Sequence, residues 1–163
     1  MEEIAEAAGV TKPVLYQHFP SKRALYLELL ADVDEQLVRA VTTATAEATS
    51  GRARVERGFA EYFRFVAEHR AAFRLLFGAS VRNDPEFAEI ADRAVEQVSI
   101  LVTALIDIDA SDAQRRVLAH AIVGMAEATS RTLAVEGEVH DPDVLARWLA
   151  EMAWFGLRGV RAD

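Results

Sequence analysis

The sequence contains no cysteine and only four prolines among its 163 residues. Without cysteine the chain forms no disulfide bond and offers no thiolate ligand to a metal ion. No apolar run reaches membrane-spanning length, since "VLAHAIVGMA" is interrupted by His120 and flanked by Arg116 and Glu127. The first residues, "MEEIAEAA", are acidic and lack the basic and apolar regions of a signal peptide. These absences fit a reducing compartment, and we expect a cytoplasmic protein with no membrane partner.

Motifs of the common enzyme classes are also missing. No HExxH metal motif, phosphate-binding loop or Gly-x-Ser-x-Gly sequence occurs. The four histidines, at positions 18, 69, 120 and 140, do not have the spacing of metal ligands. Carboxylates are plentiful, but on amphipathic helices they mostly form solvated faces. The sequence therefore predicts that the protein is not an enzyme and binds no metal or cofactor.

The composition is that of a globular protein, with 52% hydrophobic and 27% charged residues. The formal net charge is -8, which argues against wrapping of nucleic acid over the whole surface but leaves room for a local basic patch. Strand-like alternation appears nowhere, so we expect an all-α fold. The predicted helices span about 2–8, 12–19, 22–48, 53–69, 71–78, 83–106, 111–135 and 142–159.

The segment "GVTKPVLYQHFPSK", from Gly9 to Lys22, carries two lysines and one histidine but no acidic residue. It contains a short helix that begins after the N-cap Thr11, with Pro13 in its first turn. Another short helix precedes it, and Gly9 supplies the backbone freedom for a tight turn between the two. Two short helices joined in this way are the elements of a helix-turn-helix. The small core between them is expected to contain Val10, Leu15 and Phe19.

The outward side of the second helix has the chemistry of a DNA-reading surface. In a helix-turn-helix this helix enters the major groove, where glutamine reads adenine, aromatic groups contact thymine methyls and lysines neutralise phosphates. The predicted DNA-contacting residues are Thr11, Lys12, Pro13, Tyr16, Gln17 and His18, with Lys22 facing the DNA backbone from the next helix. A short polar helix with two lysines is also typical of an ordinary solvated helix, so the pattern alone leaves both interpretations open.

The order of residues in this region resembles the DNA-binding head of the TetR (tetracycline-repressor) family of bacterial transcriptional regulators. The resemblance rests on "IAEAAGVTKPVLYQHFPSKRALYLELL" and covers about the first thirty residues. The family pattern is met in order by Ile4-Ala5, Ala8-Gly9-Val10-Thr11, Leu15-Tyr16, His18-Phe19, Ser21-Lys22 and Leu25. Beyond it only the layout is similar, with a linker helix leading into a larger helical body.

One feature of the family pattern is not met. Family members carry a complete helix before this point, which packs over the motif and contributes a phosphate contact, whereas here Met1 stands almost at the motif. We expect Met1 to be an internal methionine of a longer natural chain, with a truncated head as the alternative. Without that helix the motif is expected to be loose, and the residues expected to be partly uncovered are Ile4, Ala8, Leu15 and Phe19.

The resemblance implies a helix-turn-helix head at residues 1–30, a long linker helix, and an all-helical regulatory and dimerisation body at residues 31–163. It implies a ligand-responsive repressor that a small hydrophobic or aromatic molecule releases from palindromic double-stranded operator DNA. The alternative from another class is a helical small-molecule sensor or carrier that does not bind DNA as this chain.

The resemblance also implies a ligand pocket inside the body. The segment "FAEYFRFVAEHRAAFRLLF" holds most of the phenylalanines, and aromatic walls with few polar groups suit a flat or apolar molecule. The predicted ligand-binding residues are Phe59, Phe63, Phe73 and Phe77, with Gln97, Met125 and Thr129 on the opposite wall. An aromatic stripe of this kind more often forms ordinary core.

The last two predicted helices are apolar on more than one side, which requires two neighbours. In the final helix one face is expected to hold Leu145, Trp148, Leu149, Met152 and Phe155, with Trp154 and Leu157 turned elsewhere. Both helices could simply cap a monomer core, but the resemblance favours a homodimer built on a four-helix bundle, whose two heads match a palindromic operator. The predicted interface residues are His120, Gly124, Glu127, Trp148, Met152 and Phe155.

Overall fold

The structure, a computed structural model, describes residues 1–77, 85–136 and 141–160. These residues contain eight α-helices and no β-strand, so the expected all-α fold is confirmed. The helices in chain order are α1 (Glu2–Ala7), α2 (Lys12–His18), α3 (Lys22–Ala46), α4 (Gly51–Glu68), α5 (Arg70–Phe77), α6 (Pro85–Leu105), α7 (Asp112–Glu136) and α8 (Pro142–Gly159).

Hydrogen-bonding side chains fix where several of these helices begin. The Ser21 hydroxyl accepts a hydrogen bond from the Ala24 N–H at 3.0 Å, and the Ser50 hydroxyl accepts one from the Ala53 N–H at 3.1 Å. These bonds satisfy N–H groups that have no partner inside the helix. Because such signals are local, the observed helices begin and end close to the predicted residues.

Helix α4 packs against both α3 and α8 and forms the centre of the body. Toward α8 it buries Phe59 and Phe63, whose rings stack with 6.3 Å between their centroids. On α8 this core contains Leu145, Ala146, Leu149, Ala150 and Ala153. The three alanines leave room for the large rings, so the two helices pack closely at this contact.

A second core cluster ties α3 into the body. It joins α3, α4 and α5 through Leu37, Val41, Phe65, Val66 and Phe73. Helix α3 therefore starts directly after the helix-turn-helix and is anchored in the body by its C-terminal half. It runs unbroken across residue 30, the predicted boundary between head and body, and that boundary stays a prediction.

Helix α8 presents its apolar residues on two faces instead of one. Leu145, Leu149 and Leu157 are buried in the body, whereas Trp148, Met152 and Phe155 are exposed. The prediction that the first two leucines share a face with the exposed residues is wrong. Leu157 is turned away from that face, as predicted, and packs with Ile106 and Ala119. The apolar arc of α8 is wider than the surface that the body covers, so its outer part stays in solvent.

Candidate DNA-binding surface and ligand cavity

The turn between α1 and α2 depends on a left-handed glycine. Gly9 has φ +67°, a conformation that residues with a Cβ rarely adopt. The Val10 N–H donates to the Ala5 carbonyl at 3.0 Å and the Gly9 N–H to the Glu6 carbonyl at 3.1 Å. These bonds satisfy the last carbonyls of α1, as in a Schellman cap. The predicted role of Gly9 in a helix-turn-helix is therefore confirmed.

The small core beneath this turn differs from the predicted one, which contained Val10, Leu15 and Phe19. Leu15 is 7% exposed and Ala5 is 3% exposed, so these two side chains form its centre. Val10 exposes 39% of its surface and does not fill the core as predicted, because the turn directs it outward. Ile4 and Phe19 are half-buried, as expected, but the expectation that Leu15 is partly uncovered is wrong.

The seven predicted DNA-contacting residues are all exposed: Thr11, Lys12, Pro13, Tyr16, Gln17, His18 and Lys22. No acidic residue occurs in α2, and Lys22 is the first residue of α3. The Lys12 Nζ lies 3.4 Å from the Glu2 Oε2, but an exposed pair of this kind contributes only about 0–1 kcal/mol. A phosphate can therefore replace that carboxylate. The placement meets the requirement for DNA contact, and the contacts themselves stay a prediction.

A cavity of about 90 Å³ lies inside the body, with walls from α3, α4, α6, α7 and α8. Helix α3 contributes Val41 and Thr45, α4 contributes Gly58 and Phe59, and α8 contributes Trp154. One water molecule occupies about 30 Å³, and typical ligand pockets measure roughly 300–1,000 Å³. As it stands the cavity is therefore smaller than a typical ligand pocket.

Polar side chains at the cavity turn their hydrogen-bonding atoms toward the backbone. The Thr45 hydroxyl donates to the Val41 carbonyl at 2.7 Å, which leaves its methyl group for the cavity. The Arg54 Nη1 donates to the Leu105 carbonyl at 3.4 Å, at the C-terminal end of α6. Both bonds satisfy the polar groups locally. The cavity is consequently apolar over most of its wall.

Tyr62 contributes a buried phenol to the same wall. Burial raises the pKa of the Tyr62 phenol, while the nearby Ser130 hydroxyl lowers it and the Glu127 carboxylate raises it. The Ser130 hydroxyl is itself fully buried and forms no hydrogen bond of normal geometry with the described residues. Tyr62 therefore stays neutral over the whole physiological pH range.

Trp154 borders the cavity where the start of α4 meets the end of α8. A Cβ added at Gly51 would lie 3.3 Å from the Trp154 Cζ3, so the missing side chain lets the indole ring approach α4 closely. The Arg158 guanidinium lies 5.8 Å from the centre of the indole ring, within the range of a cation–π contact.

The structure separates the predicted ligand-binding residues. Phe59 lines the cavity, whereas Phe63 and Phe73 lie in the two core clusters. Met125 packs against the first cluster. The Thr129 hydroxyl donates to the backbone carbonyl of Met125 at 2.8 Å. Gln97 is exposed, and the Phe77 side chain lies outside the described residues. Three residues of the cavity wall, Gly58, Thr45 and Trp154, were not predicted from the sequence. Of these only Gly58 carries a local signal, because a glycine inside a helix is unusual.

The predicted interface residues fall into two groups. Trp148, Met152 and Phe155 are 55%, 55% and 66% exposed and follow one face of α8 at intervals of four and three residues. On α7, a Cβ at Gly124 would meet nothing within 4 Å. The His120 Nε2 lies 3.1 Å from the Glu96 Oε2, and the Arg131 Nη2 donates to the Glu127 Oε1 at 2.6 Å.

No group of three or more metal-binding side chains comes together among the described residues. None of their helices has both the length and the apolar character needed to cross a bilayer.

The fold and its two sites define a class of protein, in which an exposed helix-turn-helix is joined by one long helix to a helical body with an internal apolar cavity. Residues 1–29 match the sequence profile described as "Bacterial regulatory proteins, tetR family", and residues 51–156 match "Tetracyclin repressor-like, C-terminal domain". The chain therefore belongs to the TetR family of bacterial transcriptional regulators, as the resemblance implied.

Individual relatives agree with this assignment. The HTH-type transcriptional activator FasR of Mycolicibacterium smegmatis is 33% identical over 162 residues, covering 98% of this chain and 74% of FasR. A TetR-like transcriptional regulator from Rhodococcus sp. RHA1 is 26% identical with a TM-score of 0.75, over 96% of this chain and 83% of that one. FadR from Bacillus subtilis, solved in complex with stearoyl-CoA, shares the fold with a TM-score of 0.78 at 14% identity, over 93% and 85% of the two chains. The relatives named here are regulators of transcription.

Proposed function

We propose that the protein is a ligand-responsive DNA-binding regulator, a repressor that a small hydrophobic molecule releases from a palindromic operator. The observation that carries the proposal is the position of α3. Its first residue, Lys22, belongs to the exposed basic surface of the head, and Val41 and Thr45 near its other end line the cavity. One continuous helix therefore borders both candidate binding sites. We assign residues 1–30 to the head and 31–163 to the body, and we place the protein in the cytoplasm with the chromosome.

The head would read DNA with the exposed side of α2. Gln17 has the paired donor and acceptor that match adenine, and Tyr16 offers an aromatic edge to a thymine methyl or a sugar. Lys12 and Lys22 would neutralise phosphates and so set the register of the helix in the major groove. A single helix of this length offers few contacts, so useful affinity requires two heads on one operator.

The second head would come from a second copy of the chain, docked through α7 and α8. Three large apolar side chains, Trp148, Met152 and Phe155, share the exposed face of α8, and such a face is typical of a protein interface. The open space at Gly124 allows a partner helix to approach α7 closely. His120 and Glu127, which are already paired within the chain, would lie at the polar rim.

The effector would bind in the cavity and enlarge it. The apolar wall suits an aliphatic or aromatic group, and the stearoyl-CoA bound by FadR of B. subtilis makes a fatty acyl chain the first class to test. Phe59 would contact the ligand directly. Four of the other predicted ligand-binding residues would be reached only as the helices part: Phe63, Phe73, Met125 and Thr129. Ligand contacts of Phe77 and Gln97 stay predictions.

Ligand binding changes operator affinity only if the ligand prefers one position of the heads over another. A ligand that enlarges the cavity would move α3 relative to its neighbours, and this movement would alter the spacing of the two heads. A preference of about 1–3 kcal/mol corresponds to about a 5- to 150-fold loss of operator affinity. Whether this loss raises or lowers transcription depends on where the operator lies, and the relative from M. smegmatis is named an activator.

The proposal is tested in two steps with the same purified protein. Bound DNA is first selected from a random pool, and we expect an inverted repeat with half-sites about one helical turn apart. The selected duplex is then titrated with acyl-CoA thioesters of increasing chain length while tryptophan fluorescence is followed. We expect release of the DNA together with a fluorescence change from Trp154 that the Trp154→Phe variant lacks, since its remaining Trp148 lies outside the cavity wall.

The outcomes separate the two functional classes. Enrichment of an inverted repeat and its release by a ligand would support the proposed regulator. Ligand binding without any enriched DNA sequence would instead favour a helical sensor or carrier that does not bind DNA as this chain.

A further inference from the structure

Arg54 is the one cation among the described residues of the cavity wall, and Asp107 is the one carboxylate. Arg54 is half-buried and Asp107 is exposed. Other residues of the wall, among them Val41, Phe59 and Leu157, are buried. The cavity therefore has an apolar interior and a charged end that reaches the surface. Such a wall suits a molecule with an apolar body and one polar end.

The charge of Arg54 is less compensated than that of the other arginines on its helix. Three arginines of α4 each have a carboxylate partner: Arg52 with Glu56, Arg57 with Glu47 and Arg64 with Glu61. Arg54 forms no ion pair with any residue that the structure describes, Asp107 included. A half-buried cation without a counter-ion is unfavourable, because it has lost part of its hydration. An anionic group in the cavity would supply that counter-ion.

The hydrogen bond of Arg54 to α6 leaves most of its donors for a ligand. Its Nη1 donates to the Leu105 carbonyl at 3.4 Å, which is longer than the usual N–H···O distance of about 2.7–3.2 Å. A guanidinium carries several N–H donors in a flat fork, and two of them match the two oxygens of a carboxylate. The bond to Leu105 therefore positions the side chain at the charged end of the cavity without using up its donors.

We propose that Arg54 binds the polar end of the effector, and that this end is a carboxylate on an apolar chain. The inference rests on the proposed use of the cavity as the effector site. One carboxylate balances the single charge of Arg54, whereas the second negative charge of a phosphate monoester would be repelled by Asp107. Among acyl compounds this arrangement favours a free fatty acid over a thioester, whose carbonyl carries no charge.

Octanoate and 1-octanol are suitable probes, because they have the same number of carbon atoms and differ in the charge of the end group. Their affinities are measured by isothermal titration calorimetry for the wild type, Arg54→Met, Asp107→Asn and Arg57→Met. Arg54→Met should weaken octanoate binding about tenfold or more, since a charge-assisted hydrogen bond is lost. Octanol binding should change much less, because its hydroxyl carries no charge.

The other two variants are comparisons at exposed positions. Asp107→Asn removes the carboxylate of the charged end and should tighten octanoate binding about twofold. It tests the proposal even if Arg54→Met fails to fold. Arg57→Met removes an exposed cation of the same helix that is not among the described wall residues, and it should change neither affinity.

A purely structural role of Arg54 predicts a different result. If the residue only holds the end of α6, Arg54→Met would lower Tm and change both affinities by the same factor. An unchanged ratio of octanoate to octanol affinity in Arg54→Met would overturn the inference. So would an unchanged octanoate affinity in Asp107→Asn, or a wild type that does not bind octanoate. The titrations involve no DNA, so octanoate binding that depends on Arg54 but releases no operator would count against the proposed function alone.

Discussion

Lys22 and Tyr16 are both exposed on the head but would contribute to DNA binding in different ways. Lys22→Ala should weaken binding to every sequence alike and lower the slope of log K against log salt by about 0.9, since one phosphate contact is lost. Tyr16→Ala should cost about 1–3 kcal/mol and relax the preference at one base position. Fluorescence anisotropy at several salt concentrations measures both effects.

Arg39→Ala is the matched control for the lysine. Arg39 is an exposed cation on the same helix, paired with Glu35 at 2.9 Å, and it lies outside the predicted DNA surface. Its removal should leave the salt slope unchanged. Equal slopes for the wild type and Lys22→Ala would remove Lys22 from the DNA contacts.

His120 makes stability depend on pH. A hydrogen bond to the Arg116 carbonyl and another to the Glu96 carboxylate raise the pKa of the His120 imidazole above its usual value of about 6.5. The protonated ring therefore stabilises the fold fully below about pH 6.5, and this contribution is lost as pH rises through the higher folded-state pKa. His120→Gln should flatten the dependence of unfolding free energy on pH in that window.

Glu96→Gln provides the comparison, since it keeps the side-chain shape and removes the charge that His120 faces. Urea unfolding at a series of pH values from below 6.5 to about 8 is the measurement. The difference in unfolding free energy between the wild type and each variant reports on the His120–Glu96 pair, because the other histidines are the same in all three proteins. If His120→Gln keeps the wild-type slope, the contact between α6 and α7 carries no pH-dependent stability.

At the scale of whole helices, α8 combines a buried face and an exposed apolar face. If a second copy covers the exposed face, Trp148→Asp would bury a carboxylate without a partner. We expect the dimer dissociation constant to rise about 100-fold or more while the helical content stays unchanged. Sedimentation and circular dichroism measure the two quantities.

Arg147→Asp introduces the same carboxylate one residue earlier, at an exposed position that is already charged. This variant should remain dimeric at the concentration where Trp148→Asp is monomeric. A wild-type protein that is itself monomeric at micromolar concentration would show that the α8 face is not a dimer interface.

The helices themselves could be predicted from the sequence because their ends are set by neighbouring residues. Ser21 and Ser50 cap the helices that follow them, and Gly9 forms its turn from local bonds alone. The division of α8 into two faces could not be predicted, because Leu145 and Trp148 lie on one apolar arc. Only the packing of α4 decides which part of that arc is buried.

The cavity was beyond sequence reasoning for a similar reason. Its walls come from five helices, and of the aromatic residues predicted to bind the ligand Phe59 lines it, whereas Phe63 and Phe73 do not. Phe63 and Phe73 fill space in the core, whereas Gly58 and Thr45 line the cavity. Empty space between distant segments has no local signature, so periodicity and composition do not reveal it.

At the scale of the whole molecule, the proposed coupling must be reciprocal. If an effector lowers operator affinity by a given factor, operator DNA must lower effector affinity by the same factor. Titrating an acyl-CoA against the protein with and without the selected duplex measures this factor, about 5- to 150-fold if the coupling is about 1–3 kcal/mol. An acyl-CoA affinity that is indifferent to DNA would mean that the cavity and the head are not coupled.

The length of α3 gives small movements in the body a large effect at the head. The 24 residues from Lys22 to Thr45 span about 35 Å at a rise of about 1.5 Å per residue. A tilt of about 5° around the cavity end would carry the other end through about 3 Å, and in a two-fold dimer the opposed heads would change their separation by up to about 6 Å. The same helix that shifts only slightly against its ligand would thus act as a lever arm, with a mechanical gain set by its length. Lengthening or shortening α3 by one turn would change the size of the movement at the head. It would leave the head in nearly the same rotation about the helix axis relative to the cavity.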